Sequence, residues 1–120
     1  MNNDFIPFEL AVKLKEKGFN EPCYKYYQRG VLNGDGCWNR YNRGTADRCS
    51  APTISQVLKW LRKENKVHIG FGYSPRKKWR YVVMYMDDRF YNKPTLAVDG
   101  FLNIEQAALV GIEYVIDNLI

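Results

Sequence analysis

The chain has 120 residues, a net charge of +5 and 46% hydrophobic residues, 15% of the total being aromatic. That length fits one domain with its own apolar core. The absence of an apolar run of membrane-spanning length and of a basic-then-apolar leader leads us to expect a soluble, cytoplasmic protein, and three widely spaced cysteines, Cys23, Cys37 and Cys49, argue against a secreted disulfide framework.

The first periodic stretch is a helix over about 7–17, with Pro7 in its first turn and Leu10, Ala11 and Leu14 on one face. Gly18 supplies a left-handed stop, and Phe19 is placed to meet Leu14 in a Schellman ending. Aromatic residues at 23–29 (Cys-Tyr-Lys-Tyr-Tyr-Gln-Arg) favour a strand. The turn signal Asn33-Gly34-Asp35-Gly36 then predicts a return through Cys37 to Tyr41. Residues 42–50 have no period and are expected to be loop.

A second helix opens at Thr53, whose hydroxyl and the Gln56 side chain form a capping box. Ile54, Val57, Leu58 and Leu61 mark its core face, while Lys59, Arg62, Lys63 and Lys66 form a ridge away from it. Alternation over 67–73 predicts a half-buried strand, and Trp79 to Met86, apolar on both faces in its second half, predicts a strand inside the sheet. Residues 87–103 read as a connection with short extended pieces around Thr95–Val98. Asn103 with Gln106 then caps a helix running to the end, with Ile104, Ala108, Gly111, Ile112, Val115 and Leu119 inward. The expectation is a single α+β domain over residues 1–120. It has an antiparallel sheet of about four strands in two hairpins, three helices mainly on one face, and the order α-β-β-α-β-β-α.

With these elements in place the chain resembles a family of small uncharacterised proteins associated with phages, prophages and mobile elements of gut-type bacteria. The resemblance rests on Phe5-Ile6-Pro7-Phe8-Glu9-Leu10-Ala11, Leu14 to Phe19, Glu21-Pro22-Cys23 with Tyr26-Tyr27, and Ala51-Pro52-Thr53. It continues through Gln56-Val57, Trp60 to Lys63, Glu105 to Ala108 and Gly111-Ile112. Family members carry Thr or Ser where this chain has Asn103, and the matched positions are caps, turns and core residues. The resemblance implies a fold and a phage or mobile-element setting, in which small proteins often inhibit host enzymes, antiviral nucleases among them.

No nucleophile with a base, carboxylate pair or phosphate-binding glycine loop stands out, so no enzyme activity, cofactor or metal is expected. Cys23, Cys37 and Cys49 with His68 are the residues from which a zinc site or a thiol-imidazole pair would have to come. Asp87-Asp88 is more simply a charged loop entrance. Charge is the stronger signal: Lys59 to Arg80 holds eight basic residues and one acid, and the remaining chain is net acidic. Lys59, Arg62, Lys63, Lys66, Arg76, Lys77, Lys78, Trp79 and Arg80 are the candidate surface for a partner or for nucleic acid. A second aromatic-basic set, Tyr24, Tyr26, Arg29, Trp38, Arg40, Tyr41 and Arg43, has the composition of a protein interface. The leading expectation is a non-enzymatic accessory protein that binds a host protein, one that handles nucleic acid, and inhibits it. Direct DNA or RNA binding is the alternative, and a cysteine- or metal-dependent enzyme is a further one.

Overall fold

The computed structural model describes residues 5–33, 48–76, 78–86 and 96–120. The elements follow in the order α1 (Phe8–Glu16), β1 (Tyr26–Gln28), β2 (Val31–Asn33), β3 (Arg48–Ser50), α2 (Ile54–Asn65), β4 (Val67–Tyr73), β5 (Trp79–Tyr85), β6 (Leu96–Phe101) and α3 (Ile104–Asn118). They form two compact units, Met1–Thr53 and Ile54–Ile120. Each contains a three-stranded antiparallel sheet, ordered β2-β1-β3 in the first and β4-β5-β6 in the second. No helix among the described residues is long and apolar enough to cross a membrane.

In the N-terminal unit α1 buries Leu10, Ala11 and Leu14, the face that its spacing predicts, and Pro7 stands just before the helix as its N-cap. The end of α1 is a complete Schellman motif. Gly18, at φ 91°, donates its N–H to the Lys15 carbonyl at 3.1 Å, and Phe19 donates to Leu14 at 3.0 Å. Both side chains of the accompanying apolar contact are buried, Leu14 and Phe19 alike. The start of the unit is tied to its end by Ile6 N–H donating to the Pro52 carbonyl at 2.9 Å and by the bridge between Phe5 and Thr53.

In the C-terminal unit β4 and β5 pair over seven residues, Val67 opposite Tyr85 through Tyr73 opposite Trp79. The central position of β5 agrees with its apolar residues on both faces. α3 lies over all three strands, and α2 packs on β4 and on α3. A Cβ on Gly111 would stand 3.1 Å from the Tyr81 ring and 3.4 Å from Ile69 Cγ2, so a glycine is what lets α3 approach the sheet this closely. Asn103 caps α3 by accepting from Gln106 N–H at 2.7 Å. The Gln106 side chain reaches back one residue further than in an ordinary capping box, accepting from Leu102 N–H at 3.0 Å.

The class is α+β, but the single sheet of about four strands and the order α-β-β-α-β-β-α are corrected to two sheets of three. Both additional strands come from stretches expected to be loop. β3, Arg-Cys-Ser, has no apolar alternation and exists because β1 needs a second partner: Tyr26 pairs with Ser50 on one side and Asn33 on the other. β6 extends the short piece foreseen near residue 95 along the open edge of β5. The first hairpin turns earlier than expected, at Arg29-Gly30 with φ 52° and 80°, the left-handed pair that matches strand twist in a two-residue connection. The predicted return strand, Cys37 to Tyr41, lies outside the described residues.

Candidate functional site

The α2 ridge forms as its spacing requires. Lys59, Lys63 and Lys66 are exposed and Arg62 half-buried, opposite a buried arc of Val57, Trp60 and Leu61. That arc is turned toward Trp60 relative to expectation, leaving Ile54 and Leu58 half-buried. An indole has more apolar area to hide than a leucine side chain, which favours this rotation. Lys66 also serves the helix itself. It adopts φ 57° immediately after α2, and its ammonium donates to the Lys63 carbonyl at 3.3 Å, answering an orphan acceptor at the negative end of the helix dipole. The ion pair of Lys63 with Glu64 is long, at 3.9 Å, between exposed side chains.

The β4–β5 turn is closed by Ser74 N–H donating to the Lys78 carbonyl at 2.8 Å. It presents Arg76 exposed and Lys78 half-buried, while Lys77 lies outside the described residues. Beside it Tyr73 and Trp79 oppose each other across the two strands, their rings edge to face with centroids 5.2 Å apart. Phe101 opposes Trp79 from the other side. Directly opposed residues share a sheet face, so Tyr73, Trp79 and Phe101 make one row across three strands. The register shifts between Trp79 and Arg80, with Asp99 opposite Arg80 and Phe101 opposite Trp79. Gly100, at φ 105°, is the extra residue of this bulge, and it swings Phe101 onto the helix-bearing face, 5.7 Å from the Tyr81 ring. Tyr81 itself is buried beside α3, whereas Trp79 and Phe101 are half-buried and Tyr73 is 57% exposed. Next along the chain come Leu102, 74% exposed, and Ile104, 37% exposed.

The nine residues of the predicted surface therefore do not make one patch. Arg80 sits on the opposite sheet face, its Nε 3.0 Å from where a Gly72 Cβ would stand. The missing side chain at Gly72 makes room for Arg80, its partner on the neighbouring strand. Lys66 precedes β4 at the end away from Tyr73, and a seven-residue strand separates the two by about 20 Å. What comes together at the turn is Arg76, Lys78 and Trp79, joined by Tyr73 and Phe101. Phe101 had gone unselected because it stands outside the charge run, and Tyr73 because, inside it, it is flanked by Gly72 and Ser74 and by no basic residue; yet Tyr73 shares parity with Trp79 across the turn, a signal present in the sequence.

Of the second set, Tyr24 is exposed, Tyr26 half-buried on β1 and Arg29 exposed in the tight turn. Trp38, Arg40, Tyr41 and Arg43 lie outside the described residues. Cys23 and Cys49 are buried thiols of the N-terminal unit that form no disulfide, and Cys23 Sγ donates to the Glu21 carbonyl at 3.4 Å. Burial raises the Cys49 thiol above its usual range, outweighing the lowering by Lys15. His68 lies on the face of its sheet away from α3, its Nδ1 buried with no hydrogen-bond partner among the described residues. Cys37, Asp87 and Asp88 are outside them, and no group of three or more metal-ligating side chains occurs within them. Comparison with protein families, with curated proteins and with solved structures finds no match to this chain.

Proposed function

We propose that this is a non-enzymatic accessory protein of a phage or mobile element that acts by binding a host protein and inhibiting it. The setting comes from the family resemblance of the sequence. The observation that carries the binding role is a set of cations left without ion pairs among the described residues: Lys59, Arg62, Arg76, Lys78 and Arg80. Cations that are not neutralised within the chain project a positive potential, which attracts an anionic partner and orients it. The α2 ridge offers such a partner a straight, rigid cationic edge. The test uses wild type and Lys59→Gln/Lys63→Gln as bait on host lysate, with and without nuclease. A host protein held by wild type after nuclease treatment, released by the variant, and bound again when both proteins are pure is the expected result. Equal capture by the two baits removes α2 from the function, and no purified partner that binds overturns it.

Direct nucleic-acid binding is the second function, favoured by one specific observation: one exposed aromatic ring, Tyr73, and two half-buried ones, Trp79 and Phe101, lie beside the cationic turn. A nucleic acid offers phosphates and ring faces together, whereas an acidic protein surface offers charge alone.

A further inference from the structure

We infer that Tyr73, Trp79 and Phe101, with Arg76 and Lys78, form a platform for single-stranded nucleic acid. This rests on the nucleic-acid function and assigns it a site and a ligand class. The three rings come from three adjacent strands and share one face through the register Tyr73 opposite Trp79 opposite Phe101. Strands lie about 4.8 Å apart, so the row spans about 10 Å, room for two or three unpaired bases. Tyr73 is exposed and Trp79 and Phe101 are half-buried, and Arg76, exposed, and Lys78, half-buried, lie in the turn that joins the strands of Tyr73 and Trp79. Charge complementarity favours an anionic occupant, since the described charged side chains of the turn, Arg76 and Lys78, are both basic. Ring exposure fixes its strandedness. Base faces in a duplex are stacked on one another and hidden, while a single strand can turn them onto aromatic side chains. An acidic peptide would use the cations and leave the rings idle.

The experiment measures anisotropy of a labelled oligothymidylate of about 12 nucleotides, a length within the span of one small binding module. A duplex of equal length and polyglutamate are run beside it. The single strand should bind at least about tenfold more tightly than the duplex, and polyglutamate hardly at all. Tyr73→Leu, at an exposed position that leaves the fold intact by circular dichroism, should weaken the single strand about tenfold, the loss of one stacked base, while Tyr73→Phe should restore it. Arg76→Gln/Lys78→Gln should lower the slope of log affinity against log salt by about 1.4, two phosphates at about 0.7 each. Single-strand binding that ignores Tyr73→Leu but falls in Lys59→Gln/Lys63→Gln would overturn the platform and keep nucleic-acid binding on α2. Equal affinity for the duplex would also overturn the platform. Binding of polyglutamate in place of the oligonucleotide, or of neither, would overturn both.

Discussion

Tyr27 is the residue on which much of the N-terminal unit hangs. Its hydroxyl donates to the Ile6 carbonyl at 2.7 Å, tying β1 to the segment before α1, and its ring meets Phe8 edge to face with centroids 5.4 Å apart. Tyr27→Phe keeps the ring and strands a buried carbonyl, so it should cost roughly 1–3 kcal/mol in urea unfolding. Burial first, and the Cys49 thiol second, raise the Tyr27 hydroxyl above its ordinary 10.0. A raised folded-state value means that the protonated phenol is the one the fold prefers. The stability it supplies is complete below about pH 10 and disappears as pH climbs through the folded value. Wild type should therefore lose stability in alkali, and Tyr27→Phe should lose less, which unfolding curves at pH 8 to 11 will show. Cys49 contributes with the same sign, since burial raises it too. At neutral pH it stays a thiol, and it should react with a thiol reagent far more slowly in the native protein than in urea.

Among the elements, α2 separates stability from binding most cleanly. Leu61 is fully buried, and Leu61→Ala should cost roughly 2–5 kcal/mol. Lys59→Gln/Lys63→Gln, on the solvent side, should stay within about 0.5 kcal/mol of wild type, both read from denaturant midpoints. α3 makes the complementary case. Gly111→Ala gains helix propensity of about 1 kcal/mol but drives a methyl into the Tyr81 ring, an overpacking cost of about 1–3 kcal/mol, so the net effect should be a lower melting temperature. Helix ends were legible because their signals are local: Gly18 with Phe19 and Asn103 with Gln106 state a stop and a start within four residues. The face of α2 was less so, because Ile54, Leu58 and Trp60 compete for one core and only packing decides between them. The turn at Arg29-Gly30 was hidden by chemistry, arginine being an uncommon occupant of left-handed backbone. For the same reason Asn33-Gly34 drew the prediction away from it.

At the scale of the whole molecule, the division into two sheets was not legible, since it depends on pairings such as Tyr26 with Ser50 that no local pattern encodes. The candidate surface was legible as a charge run, but strand parity and the Gly100 bulge decide which of its members act together. The asymmetry of charge also has a kinetic signature. Any anionic partner should associate more slowly as salt rises from 0.01 M to 0.15 M and the screening length falls from about 30 to about 8 Å, with dissociation changing less; stopped-flow mixing measures both. The bulge has a protective side as well. Among the described strands β6 is paired only to β5, which makes it an edge strand of its sheet. A flat, regular edge of that kind is a template for self-association. Gly100 breaks its regularity and Asp99, exposed, charges it. Gly100→Ala meets no side chain, yet its left-handed backbone should cost about 1–2 kcal/mol. The alternative open to that variant is to straighten the edge, which turns Phe101 away from Tyr81 and leaves β6 ready to recruit its own copies. Light scattering on mild warming should rise in Gly100→Ala before wild type, so the residue that places one aromatic ring also keeps the molecules apart.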